Sequence, residues 1–190
     1  MPTPTWCLGG EDVGMRFWRR CGAQDLPVFS PEMRVPQQLF MAIVPVSVWF
    51  SSRPWLNFAT RPLMRGLAAA TMRMRKAQPQ TTVEEIGEEW QRMFPSRKGV
   101  PITSVEDDTV YAEIHITCPH RGTGNVEGCY RMMEYDRKML EGIGGQFVVL
   151  RSQAEPGVEV CQVAMRKADV PVDDLVPAHV RARRGSLEPS

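Results

Sequence analysis

From residue 109 to residue 117 the chain reads TVYAEIHIT, with Val110, Ala112, Ile114 and Ile116 pointing one way and Tyr111, Glu113, His115 and Thr117 the other. This period of two predicts a half-buried strand. Two further strands are expected at residues 146–151 and 158–166, and the short SQAEPG connection suits an antiparallel hairpin. The period changes to a helical one elsewhere. A helix over residues 61–77 has Pro62 in its first turn and Ala68, Ala69 and Ala70 as strong formers. A second begins at Thr81 or Thr82, where T-x-x-E offers a capping box in either register, and buries Trp90, Met93 and Phe94 before Pro95 stops it. A third spans residues 126–142 and ends at a glycine cluster.

These elements predict an α+β fold, an antiparallel sheet covered by helices, preceded by a helical apolar N-terminal part. The expected organisation is an arm at 1–36 rich in Pro and Gly with a short helix around 11–21, one domain at 37–167, and a flexible basic tail at 168–190. The run LFMAIVPVSVWF at 39–50 contains Pro45 and falls short of the roughly 20 residues that span a bilayer, so it reads as a buried element.

One position breaks the pattern. On the third helix Cys129, Met132, Met133, Leu140 and Ile143 form an apolar stripe opposite Glu127, Arg131, Glu134 and Lys138, yet Asp136 lies within the stripe. A carboxylate on a buried face costs several kcal/mol unless it is paired or hydrogen-bonded. It therefore caps backbone donors, pairs with a base, or serves chemistry. Cys118 follows the alternating strand, and the loop CPHRGTG leads from it to the helix that carries Cys129 and Asp136. Cys161 shares the face of Val163 and Met165 on the last strand. Free backbone N–H groups at a glycine-bearing helix start lower a thiol pKa or bind an anion.

Composition narrows the class. Apolar residues at 43% and charged residues at 24% are those of a globular chain. A net charge of +1 provides no field for nucleic acid, so that partner is not expected. Five cysteines at irregular spacing, after a start without a charged n-region or apolar h-region, lead to the expectation of reduced thiols and a cytoplasmic location. Arg61, Arg65, Arg73, Arg75 and Lys76 follow the apolar run with no acid among them, so a membrane surface is a lesser expectation. Twelve methionines and five tryptophans serve a core or a homo-oligomer interface equally well. No GxxxxGK[ST], GxGxxG or GxSxG occurs, which sets aside the P-loop, dinucleotide-binding and serine-hydrolase classes.

Over residues 114–165, about a quarter of the chain, the sequence resembles the L-2-amino-thiazoline-4-carboxylic acid hydrolase-like family. The resemblance rests on Cys118-Pro119 after a strand, Asp136 on the next helix, Arg151 on a strand, Gly157, and a late Cys161. Cys129 stands where a small or apolar residue is expected, and the N-terminal half is more apolar than a polar substrate suggests. The resemblance implies a hydrolase that opens a small cyclic amidine, acting on a carbon–nitrogen bond in small-molecule metabolism without metal or cofactor. Cys118 is then the nucleophile, Asp136 or His120 moves protons, and Arg151, Cys161 and Cys129 surround the substrate. Two other classes remain open. His115, Cys118, His120, Cys129 and Cys161 are soft ligands for an iron- or zinc-dependent isomerase or redox protein acting on an apolar molecule, although no C-x-x-C is present. The same pocket also suits a non-catalytic small-molecule-binding domain.

Overall fold

The alternation seen in the sequence becomes the second strand of a four-stranded antiparallel sheet. The computed structural model describes residues 53–185 and, nearer the N-terminus, the strand pair β1 (Trp6–Leu8) and β2 (Trp18–Arg20). The chain divides into two compact units, residues 1–40 and residues 41–190. In the first, β1 and β2 pair antiparallel, so the end of the helix expected at 11–21 is a strand; the rest of that segment, and the apolar run at 39–50, lie outside the described residues.

In the second unit the sheet order is β3 (Ile102–Glu106), β4 (Thr109–Ile114), β6 (Cys161–Lys167), β5 (Gly145–Arg151). The fold is α+β, with helices on one sheet face. Residues Val110, Ala112 and Ile114 of β4 stand opposite Met165, Val163 and Cys161 of β6, and all six belong to the main core. Strand β3 was not evident in the sequence, because its five residues hold no strict alternation; it turns into β4 at Asp107, whose φ of 48° is one that Asp tolerates. Strand β4 ends at Ile114 rather than at Thr117. Beyond it Ile116 is 46% exposed, and the amides of Glu113 and His115 are spent on the carbonyls of Pro101 and Gly99.

Helix α1 (Asn57–Arg75) starts earlier than the sequence suggests, because the turn Pro54–Leu56 feeds into it; Pro62 is thus inside the helix, not in its first turn. Helix α2 (Val83–Arg92) opens with the capping box in the Thr82 register, Thr82 Oγ1 accepting from the Glu85 amide at 3.3 Å and Glu85 Oε2 from the Thr82 amide at 3.2 Å. It lies close on β4 at Gly87, where a Cβ would stand 2.8 Å from a Val110 methyl. Through this contact Ile86 and Trp90 enter the core with no exposure.

The third expected helix is two: α3 (Val126–Met132) and α4 (Glu134–Gly142), broken at Met133. The Met133 amide still reaches the Cys129 carbonyl at 3.0 Å, and the Arg137 amide the Met133 carbonyl at 3.0 Å. The two helices therefore stay nearly in phase, and Cys129 and Asp136 both face inward as the single-helix pattern requires.

The segment read as a flexible tail is folded to residue 185. Leu175 and Val172 pack with Val148 and Ala164 on the outer sheet face, clamped by a two-pronged Arg166–Asp174 pair at 2.6 and 2.7 Å. Helix α5 (Ala178–Gly185) follows, tied by Arg181 to Glu155 and by Arg183 to Glu127. Among the described residues no helix is long and apolar enough to cross a membrane.

Candidate functional site

Three thiols converge where the loop after β4, the first turn of α3 and the start of β6 meet. Cys118 is half-buried, whereas Cys129 and Cys161 are buried. Gln153, fully buried, fixes the loop. Its Oε1 accepts from the Cys118 amide at 2.9 Å, and its Nε2 donates to the carbonyls of Ile114 and Ile116, both at 3.0 Å. One side chain thereby replaces the ladder bonds that β4 gives up at its end. Asn125 caps α3 by accepting from the Gly128 amide at 2.9 Å, which sets Cys129 in the first turn.

The three thiols are near enough to shift one another's ionisation. The neighbouring Cys129 and burial push the Cys118 thiol far up, against a backbone donation from the His120 amide at 3.4 Å. Cys129 is pushed up to about 12, because its neighbour Cys161 and its burial outweigh the opposite influence of Cys118. Cys161 is drawn below the ordinary thiol value by Cys129 and by the Gln153 amide at 3.3 Å, against burial and the charge of Asp136. Cys118 therefore keeps its proton at rest.

Asp136 is not paired to an arginine. Its Oδ1 accepts from Trp90 Nε1 at 3.1 Å, and it lies in the first turn of α4, where the break at Met133 exposes a new helix start to its carboxylate. Burial nevertheless dominates and raises its pKa to about 6, with Trp90 the main opposing influence. Its charge acts on Cys161. His120 is buried, and burial together with the nearby Arg131 lowers its pKa, which favours neutral imidazole.

Two candidates are not brought to this cluster. Arg151 stands opposite Gln162, on the other face from Cys161. A bulge between Val149 and Arg151 shifts the register by one, and that shift turns a side chain outward. Its exposure at the strand end removes it as a ligand for a substrate beside Cys118. His115 is exposed and pairs with Glu113 at 2.8 Å, so the histidine–cysteine metal set is not assembled. Among the described residues no group of three or more His, Cys, Asp and Glu is arranged to hold a metal ion.

Trp90, Gln153 and Ser152 escaped the sequence reading. Trp90 fitted the apolar stripe of its own helix, and its role depends on a partner 46 residues away. Gln153 sits in a polar turn-like stretch that carries no sign of burial.

No protein-family model, curated protein or solved structure matches this chain at significance. The resemblance to the thiazoline-carboxylate hydrolase-like family is therefore taken up only as a proposal.

Proposed function

We propose that this chain is a hydrolase opening a small cyclic amidine of the thiazoline type, with Cys118 as nucleophile. The observation that carries the reading is the convergence of half-buried Cys118 with buried Cys129 and Cys161, in front of the buried carboxyl of Asp136. Cys118 attacks the amidine carbon as its proton passes inward, by way of Cys129 and Cys161, to the Asp136 carboxylate. The endocyclic carbon–nitrogen bond then breaks, and the departing nitrogen takes a proton from the cluster. Water adds to the resulting thioimidate on Cys118, the carbon–sulfur bond to the enzyme breaks, and Cys118 regains a thiol proton. Asp136, whose pKa of about 6 lies near neutrality, serves as the proton donor and acceptor behind Cys161. Hydrolysis needs only water as co-reactant, and the reduced thiols it requires fit a cytoplasmic setting.

The test is turnover of 2-aminothiazoline-4-carboxylate and a panel of five- and six-membered cyclic amidines, followed by NMR. Ring opening that falls by about 100-fold or more in Cys118→Ser is expected. Absence of turnover across the panel by reduced, folded protein, or undiminished turnover by Cys118→Ser, defeats the proposal.

A further inference from the structure

On the outward side of α3 and α4, away from the thiols, the described residues enclose a cleft of about 410 Å³ between α1, α3, α4 and α5. Its walls carry five arginines, Arg61, Arg65, Arg131, Arg137 and Arg183, against three glutamates, a surplus of two positive charges. The volume is in the range of small-molecule sites.

Glu134 organises the arginines. Buried, it takes Arg61 Nε at 3.3 Å and Arg65 Nη1 at 3.0 Å on Oε1, and Arg137 Nε at 3.1 Å and Nη2 at 3.0 Å on Oε2. One carboxylate thus holds three guanidiniums side by side, and it neutralises one of them. Arg137 also lies 4.1 Å over the Tyr130 ring, whose other contact is the His179 ring at 3.8 Å between centroids. Planar donors fixed in advance in this way lose little entropy when an oxyanion arrives.

Two features leave room for such a group. Arg61, which lines the cleft, is 69% exposed in its side chain and is bonded to Glu134 through Nε. Glu141, more than half exposed, is shared between Arg65 at 2.7 Å and Lys138 at 2.9 Å, so it keeps a cation when it yields Arg65 to a ligand. A single carboxylate ligand leaves part of the surplus unmet. A phosphate group carries the charge and the three oxygens that match it.

We propose that the arginine cleft of α1, α3, α4 and α5 is a binding site for the phosphate group of a small soluble phosphomonoester, separate from the thiol cluster.

The test titrates inorganic phosphate into the full chain at constant ionic strength, with chloride as the control, and reads the thermal midpoint and the heat of binding. Saturable binding is expected, weakened about tenfold or more by Arg61→Gln, as loss of a charge-assisted hydrogen bond predicts. Arg73→Gln, an exposed change outside the cleft, and Cys118→Ser are expected to leave the affinity unchanged. The midpoint without phosphate should fall only slightly in Arg61→Gln, since that side chain is mostly in water and Glu134 keeps Arg65 and Arg137. A phosphate response equal to chloride overturns the proposal, as does full affinity in Arg61→Gln. Binding to phosphatidate-containing vesicles without a saturable response to inorganic phosphate overturns the soluble ligand. None of these outcomes depends on whether the thiols catalyse hydrolysis.

Discussion

The indole Nε1–H of Trp90 donates to Asp136 Oδ1 across 3.1 Å in the interior, joining α2 to the first turn of α4 beneath the thiols. This bond and the helix start are what the structure supplies to an acid placed on an apolar stripe. Its charge is still costly to bury, and it acts on Cys161.

The pKa of Asp136 sets a pH dependence with a defined sign. The folded value of about 6 lies above the unfolded carboxyl value, so the folded state holds the proton more tightly. The contribution is fully present below about pH 4 and is lost as pH rises through the folded pKa, about 3 kcal/mol in all. Asp136→Asn keeps an acceptor for Trp90 and is expected to flatten this window, remaining at least as stable as the native chain at pH 7. Thermal midpoints from pH 4 to pH 7 read it directly, and an unchanged slope in the variant rules the assignment out.

Glu134 runs the other way. Burial would raise its pKa, but Arg137, Arg65 and Arg61 together hold it below the usual value. Its stabilisation is present above the unfolded carboxyl pKa and is lost as pH falls through the depressed folded one. Glu134→Gln leaves three guanidiniums without their common anion and is expected to cost about 2–4 kcal/mol at pH 7. Urea denaturation at pH 7 measures this, and a cost below about 0.5 kcal/mol, the level of an ordinary surface change, contradicts it.

Gln153→Glu is nearly isosteric, but its carboxylate cannot donate to the carbonyls of Ile114 and Ile116. The expected loss is about 3 kcal/mol or more, since two buried acceptors and a charge are left unmatched. Freed from its clamp, the Cys118 loop should also alkylate faster. Denaturation and mass-resolved labelling on the same sample separate the two effects.

Much of the fold was legible because its signals are local. The TVYAEI alternation, the Thr82–Glu85 capping box and the apolar face of Trp90 depend on neighbours within a few residues, and each appears as read. What failed depends on distant partners. The β5 bulge that turns Arg151 outward, the end of β4 at Ile114 where Gln153 takes over, and the docking of Leu175 on the sheet are set by tertiary contacts. The gathering of Cys129 and Cys161 with Asp136 was visible from helix phase and strand parity, whereas Cys118 lies beyond the end of β4 and is set by Gln153. The mutual influence of the three thiols, which pushes Cys118 up and Cys161 down, was not visible, because it depends on burial and on neighbours far apart in sequence.

The most direct measurement is the pH profile of Cys118 alkylation in the reduced protein, resolved by mass, beside the same profile in Cys161→Ala. If Cys118 delivers its proton along the chain, its labelling follows the first ionisation of the whole cluster. The midpoint should then lie below that of an ordinary thiol, about 8.5, and move up when the Cys161 thiol is removed. A Cys118 profile with a midpoint above that of an ordinary thiol and indifferent to Cys161→Ala would contradict the relay and leave Cys118 an inert interior thiol.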